Sequence, residues 1–137
     1  MISDNPEFED FIDKNTWAIL TALRSNGSPV SAAVMYARDG DTLVVSTPGK
    51  TFKRKMLAND SRANLCIIDN NDPPNFVAIE SEVSVETENV LEGTRPVFDK
   101  MKVLGHPVPE IPDEWLKRQK RVVLRFIPKK ISGVTRF

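Results

Sequence analysis

Apolar positions fall in two rhythms along the chain. Phe8, Phe11 and Ile12 recur at helical spacing. Asn5 can cap that helix, Pro6 suits its first turn, and Glu7, Glu9 and Asp10 complement its dipole. Thr16–Arg24 is nearly continuous apolar, the pattern of a strand covered on both faces. Ser25-Asn26-Gly27-Ser28 reads as a hairpin turn, Pro29–Ala37 as a second strand, Asp39-Gly40 as a second turn and Thr42–Thr47 as a third strand. Together they predict a three-stranded meander. A short helix follows from Thr51 to about Asn59, with Thr51 as N-cap and Phe52, Met56 and Leu57 on its buried side. Ala63–Asp69 is a fourth strand, the stretch through Pro73-Pro74 a loop, and Phe76–Glu86 a long strand that alternates late, at Val83 and Val85. Val90, Leu91, Thr94, Phe98 and Met101 predict a helix over roughly 88–103. A proline-rich loop, Gly105–Pro112, and a helical turn around Glu114–Gln119 lead to two last strands, Val122–Ile127 and Lys130–Arg136. Six or seven short strands with a few peripheral helices predict a mainly-β chain closed, or nearly closed, into an antiparallel barrel.

Length fits one domain over residues 1–137, enough for a single packed core. The charges balance at 19 Lys+Arg against 19 Asp+Glu, which argues against coating a nucleic acid. No apolar run approaches the roughly 20 residues that cross a bilayer. The acidic start (Asp4, Glu7, Glu9, Asp10) is unlike a signal peptide, and Cys66 is the single cysteine. A reducing cytoplasm without membrane attachment is the expected setting. The balance conceals blocks: basic at Lys50, Lys53, Arg54, Lys55 and Arg62, acidic at Glu80, Glu82, Glu86, Glu88 and Glu92, and basic again from Lys117 to Lys130. Such blocks are usually solvated faces. Reading 117–130 as nucleic-acid binding founders on its lack of interleaved aromatics beyond Trp115 and Phe126.

One block has a different setting. Val44 to Lys55 runs from a strand through Ser46 and Thr47, across Pro48-Gly49, into a helix start surrounded by cations. Free N–H groups, the positive end of the dipole and several lysines converge there, as a phosphate requires, with Ser46, Thr47 and Thr51 as neutral donors. A well-capped surface helix with solvated lysines explains the same residues. Gly49-Lys50-Thr51 is not a P-loop, because Val44 stands where the first glycine belongs. His106 is the only histidine and reads as a loop residue, Cys66 as a small core residue, and Trp17 and Trp115 as packing. No catalytic triad or paired acid and base is recoverable, so an enzyme here would rely on a bound cofactor.

The run from Gly27 to Ser81 resembles the pyridoxamine 5′-phosphate oxidase-like family of split-barrel flavoproteins. Its residues appear in order: a Gly-x-Pro hairpin, a strand ending in Met35-Tyr36, an Asp-Gly turn, a strand ending in Ser46-Thr47, then Thr51-Phe52-Lys53, Asn59 to Ala63, and Pro73-Pro74. Val123 to Ile131 is also similar. The resemblance implies a homodimeric, six-stranded antiparallel split barrel with the cofactor at the subunit interface. It implies that Thr47, Thr51 and Lys53 hold the cofactor phosphate, with Ser46 beside them and Lys50 and Lys55 nearby. The strand through Ala33, Val34, Met35 and Tyr36 would run along the ring. Phe52, Phe76 and Ser81 depart from the oxidase's arginine, glutamine and glycine, and its Arg-rich terminal motifs are missing. The expectation is therefore an oxidoreductase of the small branch, using FMN or the deazaflavin F-420 on a small-molecule substrate. The alternative is a non-catalytic carrier of haem, a tetrapyrrole or a flavin on the same barrel.

Overall fold

Asn5 caps the first helix as its side chain suggests, accepting a hydrogen bond from the Glu7 N–H at 2.9 Å. The computed structural model describes residues 1–137, apart from the side chains of Phe52 and Lys53. The expected burial of Phe52 and the phosphate role of Lys53 therefore lie outside the described residues. The helix is α1 (Pro6–Lys14), followed by β1 (Trp17–Leu23), β2 (Pro29–Met35), β3 (Ala37–Asp39), β4 (Thr42–Pro48) and α2 (Phe52–Asn59). Then come β5 (Arg62–Ile68), β6 (Phe76–Glu86), α3 (Val90–Val103), α4 (Pro112–Arg118) and β7 (Arg121–Val134).

The strands form one curled antiparallel sheet in the order β2-β1-β5-β6-β7-β4-β3. Alternation sends one row inward from each long strand: Ala18, Leu20 and Ala22; Leu43 and Val45; Leu65 and Ile67; Val77 and Ile79; Leu124 and Phe126. Phe11 and Ile12 of α1 and Leu57 of α2 complete this core. On the outer side α3 packs against β3, β4 and β7 and builds a second, smaller cluster of Ala37, Val44, Val97 and Val123. Gly93 permits that approach, since a Cβ there would lie 2.9 Å from the Val123 side chain. Thr94, 1 % exposed at the same seam, is buried with its hydroxyl unpartnered.

Four expectations are corrected. First, the chain has seven strands where the resemblance implied six, and Pro29–Ala37 breaks at Tyr36 into β2 and β3. Second, the meander is interrupted: β2 pairs only with β1, the Asp39-Gly40 turn joins β4 only to the short β3 through Ala37–Val44, and the long ladder of β4 is with β7. Third, β1 is covered on its inner face, while its outer row of Trp17, Ile19, Thr21 and Leu23 stays partly exposed. Fourth, the last two predicted strands are one. Ser81 pairs with Pro128 and Glu80 with Lys130, so Lys129 is bulged out and the ladder continues past the proline.

The break at Tyr36 is held on every side. Its ring is fully buried, and its hydroxyl donates to the Ile12 and Asn15 carbonyls at 2.7 and 3.0 Å. Burial pushes the phenol pKa far above its usual range. Lys100 of α3 donates to the Tyr36 carbonyl at 3.0 Å and lies 3.7 Å from the ring centroid. Two residues on, Arg38 pairs with Glu9 and Asp13, fastening β3 to α1.

Tyr36→Phe should destabilise the chain by about 1–3 kcal/mol, because two buried carbonyls lose their donor. Urea unfolding with an unchanged m-value checks it. Burial lowers Lys100 from 10.5 to about 8. The unfolded chain therefore binds more protons between those values, and this group makes stability rise with pH from about 8 upward. Lys100→Met should flatten that part of the pH–Tm curve relative to the parent.

Candidate functional site

The sheet's two edges are consecutive in sequence. At Tyr36 the chain leaves β2, at one edge, and enters β3, at the other. β3 pairs with β4 only through Thr42, Leu43 and Val44, so the stretch of β4 from Val45 to Pro48 has no ladder on that side. β2 comes close to β4, yet no ladder joins them among the described residues. The barrel is therefore split between β2 and β4, and both edges offer unpaired N–H and C=O groups.

The mouth of the split leads into α2. Thr47 is 2 % exposed and faces inward, with its hydroxyl 3.2 Å from that of Thr51. Thr51 occupies the cap position, but its hydroxyl donates back to the Pro48 carbonyl at 3.0 Å and makes no side-chain cap bond to the helix. Among the described residues, the first turn of α2 has no side-chain acceptor. Lys50 and Lys55 are exposed beside it and Arg54 is half-buried. The turn between β4 and α2 is tight against the start of β7: a Cβ on Gly49 would strike the Lys120 carbonyl.

The predicted residues divide rather than converge. Strand alternation puts Ser46 and Thr47 on opposite faces of β4, so the expected pair of neighbouring donors is separated. Thr47 joins Thr51, whereas Ser46 meets Arg121, whose Nη1 donates to its carbonyl at 3.2 Å and to its hydroxyl at 3.4 Å. On β2, Ala33 is exposed and Met35 half-buried, on the outer row. The Val34 and Tyr36 side chains are in the core, and the Tyr36 carbonyl is already taken by Lys100. Those two can border a ligand only through the remaining backbone of the strand. Arg121 was missed because it lies within the basic run 117–130, which reads as solvated. The chain instead half-buries it, 4.1 Å from the Trp115 ring centroid, with Nε donating to Gln119 at 2.7 Å.

Elsewhere the chemistry is sparse. His106 is exposed on the loop after α3. Cys66 is half-buried and burial raises its thiol pKa, away from nucleophilic use. Arg125 is consumed by Glu86 and Asp39 at 2.9 and 2.8 Å, so this part of the basic run is neutralised internally. No group of three or more His, Cys, Asp or Glu able to hold a metal occurs among the described residues. Nor is any helix there long and apolar enough to cross a membrane.

The family model described as Pyridoxamine 5′-phosphate oxidase matches residues 5–135. No curated protein matches the sequence. Among solved structures, a conserved hypothetical protein from Mycobacterium tuberculosis superposes with a TM-score of 0.78 at 18% identity, over 98% of this chain and 86% of that one. An F420 reductase gives 0.73 at 18% identity, over 90% and 94%. A heme binding protein from Mycobacterium smegmatis gives 0.72 at 16% identity, over 98% of this chain and 55% of that one. At such identities the likeness is one of fold.

Gly49→Ala should destabilise the protein by about 1–3 kcal/mol, because the added methyl meets backbone that cannot swing aside. Thermal melting compared with the parent measures it.

Proposed function

The chain belongs to the pyridoxamine 5′-phosphate oxidase family, and from that premise we propose that it is an oxidoreductase working through FMN or F-420. The observation that carries this is the split between β2 and β4. It combines unpaired strand edges with paired hydroxyls and a cation-ringed helix start at its mouth. That donor set fits a flavin-type cofactor, which needs hydrogen-bonding backbone along its ring edge and positive charge at its phosphate.

Thr47, Thr51, Lys53 and the exposed Lys50 and Lys55 would hold the phosphate. The edge of β2 from Ala33 to Met35 would border the ring. When bound, the ring supplies hydride transfer, which the side chains here do not provide. The protein's own part is to bind, orient and exclude water.

A homodimer belongs to the same proposal. The outer cover provided by α3 lies on β3, β4 and β7 and reaches Met35, while the outer row of β1 and the rest of β2 is left open, with Trp17 38 % exposed and Ser31 and Ala33 exposed. A second copy laid there would close the split from outside. The likeness to a heme binding protein supports a carrier as the second reading. Binding of haem or flavin without turnover by reduced cofactor would favour it.

Purified protein should carry, or gain on addition of FMN or F-420, a visible absorbance band with micromolar affinity. Thr51→Val should weaken binding about tenfold, which corresponds to about 1.4 kcal/mol. Lys53→Glu should abolish retention. Absence of binding to either cofactor at micromolar concentration rejects the proposal.

A further inference from the structure

Besides Arg121, two half-buried arginines brace this fold, and each meets carboxylates. Arg38 pairs with Glu9 and Asp13, and Arg125 with Glu86 and Asp39. Arg121 has no acidic partner among the described residues. Burial pushes its pKa down, so the cation is held at a cost. Its position is nevertheless defined by three groups: the Trp115 ring face, the Gln119 side-chain oxygen and Ser46. Trp115 is itself set by Phe98 of α3, with ring centroids 6.1 Å apart. A guanidinium fixed on one side by neutral acceptors and an aromatic face keeps its Nη2 donors for something else.

Arg121 lines a cleft of about 320 Å³ between α4 and the start of α3. Lys117 and Lys120 share its wall, and its one acid, Asp113, is paired with Lys117 at 3.1 Å. Lys120 is held at φ 50, the left-handed region that a non-glycine residue enters at a cost. The first turn of α3, without a side-chain cap, forms the facing wall at Val90 and Leu91; its one acid, Glu92, does not line the cleft and is paired with Arg95 at 2.9 Å.

We propose that this cleft is a second anion site, distinct from the start of α2, which takes a phosphate-type oxyanion through Arg121 with Lys120 beside it. Planar, forked donors and a compact ammonium suit tetrahedral oxyanions. The site lies on the face of β4 opposite Thr47, so it does not rest on the cofactor reading. Free phosphate and the phosphate ester of a small molecule share the chemistry.

NMR titration of the nitrogen-15-labelled full chain with inorganic phosphate, at constant ionic strength, tests it. The Trp115 indole and Arg121 Nε signals should move saturably, and chloride should not move them. Glycerol 3-phosphate binding more tightly than inorganic phosphate would identify an ester as the ligand; the reverse order would identify free phosphate. Arg121→Gln should raise the dissociation constant at least tenfold. Lys120→Gly should raise it about threefold while leaving Tm equal or higher, because glycine accepts the left-handed backbone. This second variant separates lost binding from lost folding. Phosphate binding unchanged in both variants overturns the proposal. So does binding that survives Arg121→Gln but disappears in Lys53→Glu, since it belongs to the α2 start.

Discussion

The crossing at Tyr36 is the constraint on which the remaining architecture depends. A sheet whose two edges are joined by a single residue cannot flatten, because β2 and β3 must stay close while five other strands span the distance between them. The buried ring and its hydroxyl bonds to Ile12 and Asn15 tie that junction to the end of α1. Lys100 ties the same residue to α3. Leaving the Ile12 or Asn15 carbonyl unpaired in the core would cost about 1–3 kcal/mol. The split between β2 and β4 is the geometric consequence. β2 and β3 leave the vertex to join opposite edges of the sheet, and no ladder joins β2 to β4 among the described residues.

That consequence gives β4 two unlike faces. Its inward row, Leu43, Val45 and Thr47, ends in a hydroxyl at the mouth of the split. Its outward row, Val44 and Ser46, ends under Arg121. β7 mirrors the division, with Val122 paired to Thr47 on the core side and Val123 paired to Ser46 on the helix side. Polar chemistry thus sits at the same end of both faces, where the ladder finishes and the apolar filling runs out. Gly49 is what lets the chain turn there without forcing β4 and β7 apart.

Much of the fold was legible wherever the cause was local. Asn5 and Pro6 announce α1, Asn26-Gly27 closes the β1–β2 turn with Gly27 at φ 87, and Gly40 turns β3 into β4 at φ 60. The pairing of β4 with β7 was not legible, because it joins Ser46 to Val123 and depends on how the whole sheet curls. Nor was the break at Tyr36, since its neighbours read as continuous strand. Pro128 looked like a terminator because the bulge that accommodates it is a property of the partner register. For the candidate site, the contiguous run from Ser46 to Lys55 was visible as a cation-rich helix start. Its division into two faces was hidden in strand phase, and Arg121 among lysines that solvent does claim.

Charge makes the same point more sharply. A count of 19 against 19 treats every ion as equivalent, yet the fold assigns them different surroundings. Arg125 and Arg38 spend their charge inside the protein, joining strands and helix through carboxylates. Exposed lysines such as Lys55 are screened by water and contribute little individually. Arg121, desolvated and oriented like Arg38 and Arg125, is left without a counter-charge among the described residues, a condition that stability by itself does not favour. Its neutral supports fix the direction of the guanidinium without satisfying its charge. A cleft in front of such a group is therefore a place where a ligand's charge completes what the fold leaves open.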